Sequence, residues 1–422
     1  MILELLILIS FFVEVGVLFY LEYKAWKTVY TPLNYLMLPF VFILLVTIVC
    51  SGNTTIGLME FYYPSILIWS VGLLIFAVPS YVAGYFCSKI DIKCYNSIET
   101  KKIPDFLFCV VLVVELFFFI RFRHLSVSVK DFVGSEEFAD QFAAQGLWGH
   151  LRQFLIPFLM MAIYFVDREH KKMWLIIIPV FFLCIINQVK GTIVISILAG
   201  LSMRLYSGKS RLSWRLFLWI VIAGFCVFLI SYALLPILGK GEGKMTNELW
   251  LFVVRTFVHY ITSGLQGLSI DMMNGFPDMG EFQIVLSPFV NIINMISGNN
   301  DLLISPVNAH YFYSGISLTN VRTFFGTLYI YSDALSFSLY ILVLSSSLYA
   351  LKIIVSRLGN VYLYTIYFFY MTLLAMGWFE FYFFHLMVIE IPVILLLIML
   401  AVYFTDNYLL IRHDGVEEEL SI

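Results

Sequence analysis

Three cations in this chain stand out by what surrounds them. Lys190 lies beside Gly191, which lets a ligand approach a turn, and Thr192, which can cap the helix that follows. Arg255 sits in Val-Val-Arg-Thr-Phe-Val-His-Tyr, four residues before His259 and therefore on one helical face with it. Arg322 lies within Thr319-Asn320-Val321-Arg322-Thr323. No one of these spacings is a specific motif alone. Their shared chemistry is phosphate recognition: a guanidinium fork matches two phosphate oxygens, an ammonium supplies a point charge, and desolvation strengthens both. The proton carriers that could serve such a site are His150, His259, His310 and His385, with Asp271, Asp278, Glu281, Asp301, Asp333 and Glu380. His310 is set among Tyr311, Phe312 and Tyr313 shortly before Arg322, which makes it the candidate base. Trp250, Tyr260, Tyr311 and Tyr313 are candidate platforms for sugar rings. Most of the 41 Phe, 26 Tyr and 8 Trp are assigned instead to bilayer interfaces and packed helices.

The elements that must position these groups read as membrane spans. Hydrophobic residues make up 61% of the 422 and charged residues only 13%, with repeated apolar runs long enough for a hydrocarbon core about 30 Å thick. The runs predict an all-α, polytopic transmembrane bundle of about eleven spans. They fall at Ile2–Tyr20, Leu33–Cys50, Ile66–Cys87, Pro104–Ile120, Leu151–Val166, Met173–Asn187, Thr192–Tyr206, Leu216–Leu235, Phe324–Leu351, Val361–Phe379 and Phe383–Phe404. Residues 1–235 form an N-terminal bundle of eight spans and 236–323 one large loop. Residues 324–404 carry the last spans and 405–422 a tail. Within the loop, Trp250–Ile261 and Ile284–Ile296 are too short or too interrupted for spans and read as interfacial or re-entrant segments. The first run lacks a basic leader and carries Glu4 and Glu14, so it reads as a retained span.

Sidedness follows from the cations. Alternate connections hold 16 of the 25 Lys and Arg, which places that face in the cytoplasm and the large loop outside. The nine on the outer face are Arg121, Arg123, Lys130, Arg152, Lys190, Lys240, Lys244, Arg255 and Arg322. The default for any one of them is snorkelling to headgroups or pairing with acids such as Glu136, Glu137 and Asp140. Lys190, Arg255 and Arg322 are the three for which a ligand is preferred, and Arg121 and Arg123 are kept as substrate contacts. Glu14, Glu115 and Glu390, inside spans, read as structural anchors facing the bundle interior.

Several function classes are excluded or unsupported. There is no Arg-rich stripe or basic tail for nucleic acid. Six cysteines lie singly with no Cys-x-x-Cys, so neither a disulfide framework nor a metal is expected. No Gly-rich phosphate loop, nucleophile elbow or His-Glu-x-x-His occurs, which removes support for soluble-type nucleotidases, esterases and metalloproteases.

The layout resembles the Wzy-type O-antigen polymerases, the oligosaccharide repeat-unit polymerases of bacterial surface polysaccharide. The resemblance rests on Gln188-Val189-Lys190-Gly191-Thr192 after the sixth span and on a large loop opening with Arg255 and Tyr260-Ile261-Thr262-Ser263-Gly264. It rests also on Asn320-Val321-Arg322-Thr323 followed by Tyr331-Ser332-Asp333. The motifs are degenerate: Lys190 replaces the usual Arg, Arg322 a Tyr, and Asp333-Ala334-Leu335 an Asp-Phe-Gly. The resemblance implies a multi-pass enzyme of the bacterial inner membrane with a periplasmic active site. It would transfer a glycan from one undecaprenyl-diphosphate carrier to the distal sugar of another, without cofactor or metal. Its partners would be the lipid-linked oligosaccharide, membrane lipids and a chain-length regulator. Lys190, Arg255 and Arg322 would hold the departing diphosphate, His310 would act as base and Asp333 would orient it. His259, Asn320, Arg121, Arg123 and the four rings would contact substrate. A lipid-linked-oligosaccharide ligase differs mainly in acceptor. A flippase is the non-enzyme alternative, although the chain shows no inverted repeat and its polar mass sits in one asymmetric loop. A lipid-sugar acyltransferase is a distant third.

Overall fold

The computed structural model describes residues 2–89, 104–128, 141–142, 146–186, 190–211, 213, 247–275, 281–305, 308 and 310–419. The expected span Leu216–Leu235 lies outside these residues. The described chain is mostly helical: α1 (Ile2–Trp26), α2 (Pro32–Cys50), α3 (Ile66–Lys89), α4 (Asp105–Ser128), α5 (Gly146–Phe165), α6 (Trp174–Ile186), α7 (Lys190–Tyr206), α8 (Asn247–Asn274), α9 (Ser287–Ile296), α10 (Phe324–Tyr331), α11 (Ala334–Leu358), α12 (Val361–Ala375) and α13 (Met387–Glu419). An antiparallel pair of two-residue strands, β1 (Phe312–Tyr313) and β2 (Leu318–Thr319), is the one amendment to an all-α description among the described residues.

Among the described residues, five segments are long and apolar enough to cross a membrane: Ile2–Trp26, Pro32–Cys50, Tyr63–Cys87, Ala334–Leu358 and Met387–Thr405. The chain is thus a membrane protein. These helices tolerate Pro39, Pro79 and Pro392, as spans do when neighbours re-satisfy the backbone. The expected ninth span, Phe324–Leu351, is not one helix. It breaks at Ser332-Asp333, where Ser332 is extended and Asp333 Oδ1 accepts the amide of Ser336 at 2.7 Å to start α11. The two loop segments set apart in the sequence are helical. Trp250–Ile261 belongs to the 28-residue α8, and α9 carries Phe289, Ile293 and Ile296 exposed on one side, as an interfacial helix does.

The chain forms two compact units, each discontinuous in sequence. One comprises Met1–Tyr95, Leu212–Leu358 and Phe369–Val388; the other comprises Asn96–Arg211, Gly359–Phe368 and Ile389–Ile422. In the first unit α3 packs against α1 and α11. Trp69, fully buried, stacks on Phe40 and meets the edge of Phe325, and its indole N–H donates to Thr323 Oγ1 at 3.0 Å. Glu22 is buried in the same unit, where the Tyr349 hydroxyl donates to it at 2.5 Å and the Ser80 hydroxyl does likewise. That satisfaction lets α1 run on past its expected end at Tyr20. In the second unit α5 packs on α6 and α7, with Leu155 to Phe165 buried without interruption.

Candidate functional site

The first unit gathers its polar groups along α8. Residues three and four apart on a helix share a face, and here that face is polar: Arg255, His259, Ser263, Gln266 and Ser269 recur at that spacing. Each finds a partner. Arg255 Nε donates to Thr55 O at 2.9 Å, Gln266 Nε2 to Met59 O at 3.2 Å, and the Tyr62 amide donates to Ser269 Oγ at 2.6 Å, so the 51–62 connection is sewn to α8. His259 is buried with Nδ1 2.8 Å from Ser314 Oγ in the hairpin turn. Burial pushes its pKa below 6.5, leaving a neutral imidazole at pH 7.

Arg322 is fully buried at the end of this row and is closed to solvent. Its Nε and one terminal nitrogen hold the two Asp271 oxygens at 2.5 and 3.1 Å, and its other terminal nitrogen donates to the carbonyls of His310 and Asn320, each at 2.9 Å. Four of the five guanidinium N–H groups are therefore committed, and Phe312 lies under the remaining face. As the chain stands, a phosphate would have to displace Asp271 to reach this residue. Asp271 is the partner that sequence reasoning grouped only with the proton carriers.

The remaining expected residues separate. The His310 side chain is exposed and it is its carbonyl that bonds Arg322. Asp333 is exposed and its carboxylate sits below the usual range because the Ser336 amide donates to it. Asn320 donates to Asn308 O at 2.8 Å. Tyr311 and Tyr313 are exposed, the latter bonding Gly315 O at 2.8 Å. Arg121 lies over Trp148 and donates to the carbonyls of Phe142 and Gln141, and Arg123 is exposed. Both belong to the second unit, as does Lys190, the first residue of α7. The side chains of Lys190 and Trp250 lie outside what is described.

A second set of groups adjoins α8 in the first unit. Tyr260, 39% exposed, stacks on Phe379 with ring centroids 5.4 Å apart and planes 16° from parallel. One turn on, a Cβ at Gly264 would strike the carbonyl oxygens of Trp378 and Phe379, so only glycine lets α8 lie against this connection. Glu380 follows, 3.8 Å from His385 Nε2, with both side chains partly accessible. Burial and the charge of Glu380 together push up the Tyr260 and Tyr382 hydroxyls. An open ring face, a carboxylate and an imidazole thus lie together, and only Tyr260 among them had been singled out as a ligand contact. In the sequence Glu380 and His385 read only as proton carriers, and His385 falls inside the expected span Phe383–Phe404.

Close by in the chain, an apolar groove with a volume of about 500 Å³ follows α11 from Ser336 to Leu351, roughly 22 Å at the helical rise. Leu339, Tyr340, Phe282, Leu286 and Phe383 are among its walls, and Ser287 Oγ, bonded to Phe384 O at 2.7 Å, ties α9 to that side.

Fold and site together define a polytopic helical membrane protein with a polar layer built on one long helix. The chain belongs to a family of unknown function, DUF6337, whose model matches residues 57–406. No curated protein matches the sequence, and no solved structure matches the chain.

Proposed function

We propose that this protein is a membrane glycosyltransferase that joins lipid-diphosphate-linked oligosaccharide repeat units at the outer face of the bacterial inner membrane, extending a surface polysaccharide. The observation that carries this reading is the grouping of a ring stack, Tyr260 on Phe379, with the Glu380–His385 pair of the connection between α12 and α13, beside the helix that presents both Tyr260 and Arg255. Sugar transfer needs those three things: a flat apolar face for a pyranose ring, a proton acceptor and a cation for the leaving group. The groove along α11 has the length and lining for a hydrocarbon tail.

In this reading an acceptor hydroxyl attacks the anomeric carbon of the donor glycan. The new C–O bond forms as the bond to the diphosphate oxygen breaks, the hydroxyl proton passes to Glu380, and the lipid diphosphate departs with its electron pair beside Arg255. His385 orients Glu380. Arg322 serves indirectly, by holding the hairpin and the 320–323 segment against α8. The positive-inside distribution supports the outward placement of this layer.

The test is the surface-polysaccharide ladder of a deletion strain. Lipid capped with a single repeat unit supports the polymerase. Complete loss of capped lipid removes it in favour of a ligase, if lipid-linked polymer accumulates at the outer face, or a flippase, if single lipid-linked repeat units accumulate at the inner face.

A further inference from the structure

Among the described arginines that are at least half-buried, one lacks a partner. Arg121 donates to two carbonyls, Arg204 to those of Ile163, Tyr164 and Val166, Arg255 to Thr55, and Arg322 holds Asp271. Arg152 stands in α5 one turn before the buried run that begins at Leu155. Its Nε is sealed from solvent with no hydrogen-bond partner, and among the described residues no hydrogen bond or ion pair reaches the rest of its guanidinium. The neighbouring Gln153 likewise keeps a buried Oε1 without a partner.

Glu390 is the natural candidate to compensate this charge, and it lies within electrostatic reach. Its carboxylate is engaged elsewhere: His150 Nδ1 approaches Glu390 Oε1 at 2.7 Å. The His150 side chain is 51% exposed, so the cluster opens to the surroundings on that side. A desolvated guanidinium at the margin of apolar packing is costly unless an anion completes it. Two oxygens of a phosphate match the guanidinium fork in one plane.

We propose that Arg152, near the Glu390 carboxylate that His150 engages, binds a phosphate group carried by a lipid headgroup. The site lies within the second unit and does not depend on the glycosyltransferase reading. Its ligand is defined by the phosphate, and a free anion and a lipid are distinguishable sources.

The experiment uses the purified full-length protein in a phosphate-free maltoside detergent, with the thermal midpoint followed during titration. The probes are phosphatidylglycerol, farnesyl diphosphate, inorganic pyrophosphate and a diacylglycerol with the same chains but no phosphate. Both phosphate-bearing lipids should raise the midpoint saturably and diacylglycerol should not. Arg152→Gln should weaken the apparent affinity about tenfold or more, while Arg357→Gln, which removes an exposed charge in the first unit, should leave it unchanged. A saturable, Arg152-dependent response to pyrophosphate alone would keep the phosphate site and assign it to a free anion. A diacylglycerol response equal to that of phosphatidylglycerol, no saturable response to any probe, or an Arg152→Gln titration superimposable on wild type would overturn the proposal. Should Arg152→Gln not accumulate, Arg152→Lys decides the matter. A point charge in place of the fork should weaken binding about threefold, and an unchanged affinity would overturn the site.

Discussion

Removing either member of the Arg322–Asp271 pair should damage the fold before it damages chemistry. The two side chains are 0% and 6% exposed and 51 residues apart in the chain, so the pair fixes the approach to α10 against the end of α8. Breaking a buried pair by deleting one partner costs about 3–5 kcal/mol, because the survivor is left desolvated and unpaired. Arg322→Met removes in addition the donors that satisfy the His310 and Asn320 carbonyls. For a unit of this size the loss corresponds to a fall in melting midpoint of roughly 10 °C. Fluorescence-detected size exclusion after a temperature series reads it directly in detergent. Asp271→Leu should behave similarly, and the double variant Arg322→Met with Asp271→Leu should recover much of the loss, since no charge is then stranded. A midpoint for Arg322→Met within a degree or two of wild type would refute this reasoning. If that variant also failed to make polymer, the guanidinium would have to meet a ligand instead.

Three further outcomes follow from the same layer. Gly264→Ala should lower the melting midpoint through about 1–3 kcal/mol of overpacking against Trp378 and Phe379, whereas Gly16→Ala, which meets nothing nearby, should not. His259 is held below its ordinary pKa of 6.5 by burial, so an unfolded chain gains the proton first as pH falls. Its contribution is complete above pH 6.5 and lost progressively below it, and His259→Gln should remove that component from a series of midpoints between pH 7.5 and 5. On the functional side, Arg255→Ala should shorten or abolish the polysaccharide ladder with protein level near wild type, and Arg255→Lys should restore it only in part, because Arg255 makes one exposed bond to Thr55. A normal ladder from Arg255→Ala would remove it from the proposed site.

The apolar runs carried most of the helical architecture. Pro32–Cys50 and Ile66–Lys89 match the expected Leu33–Cys50 and Ile66–Cys87 almost residue for residue, because length and hydropathy are local properties. What escaped the sequence depends on partners far along the chain. The continuation of α1 through Glu22 requires Ser80 and Tyr349, 58 and 327 residues away. The break at Ser332-Asp333 had a local signal, Asp333 three residues before Ser336, but a count of apolar residues passes over it. Arg322 reads from the sequence as part of a phosphate clamp, and only the fold could show that Asp271 is what completes it. Tyr260 was chosen as a sugar platform, yet its neighbours Phe379 and Glu380 come from the connection that follows α12, far along the chain.

The interleaving of the two units bears on how the chain is made. The first unit begins with Met1–Tyr95 but is closed by Phe369–Val388, whose Gly377 carbonyl accepts the Phe324 amide at 2.6 Å and whose Phe381 meets the Phe324 ring. At 5–20 residues per second, about 15–60 s of synthesis separates the opening and closing segments. Throughout that interval α1, α2 and α3 are in the bilayer without the connection that seats α8. A nascent chain stalled before residue 369 would therefore expose the Gly264 surface and the rings around Phe324. Quality control of this protein is most exposed to failure in about its last eighth, where a late truncation undoes a unit whose first helix was among the earliest inserted.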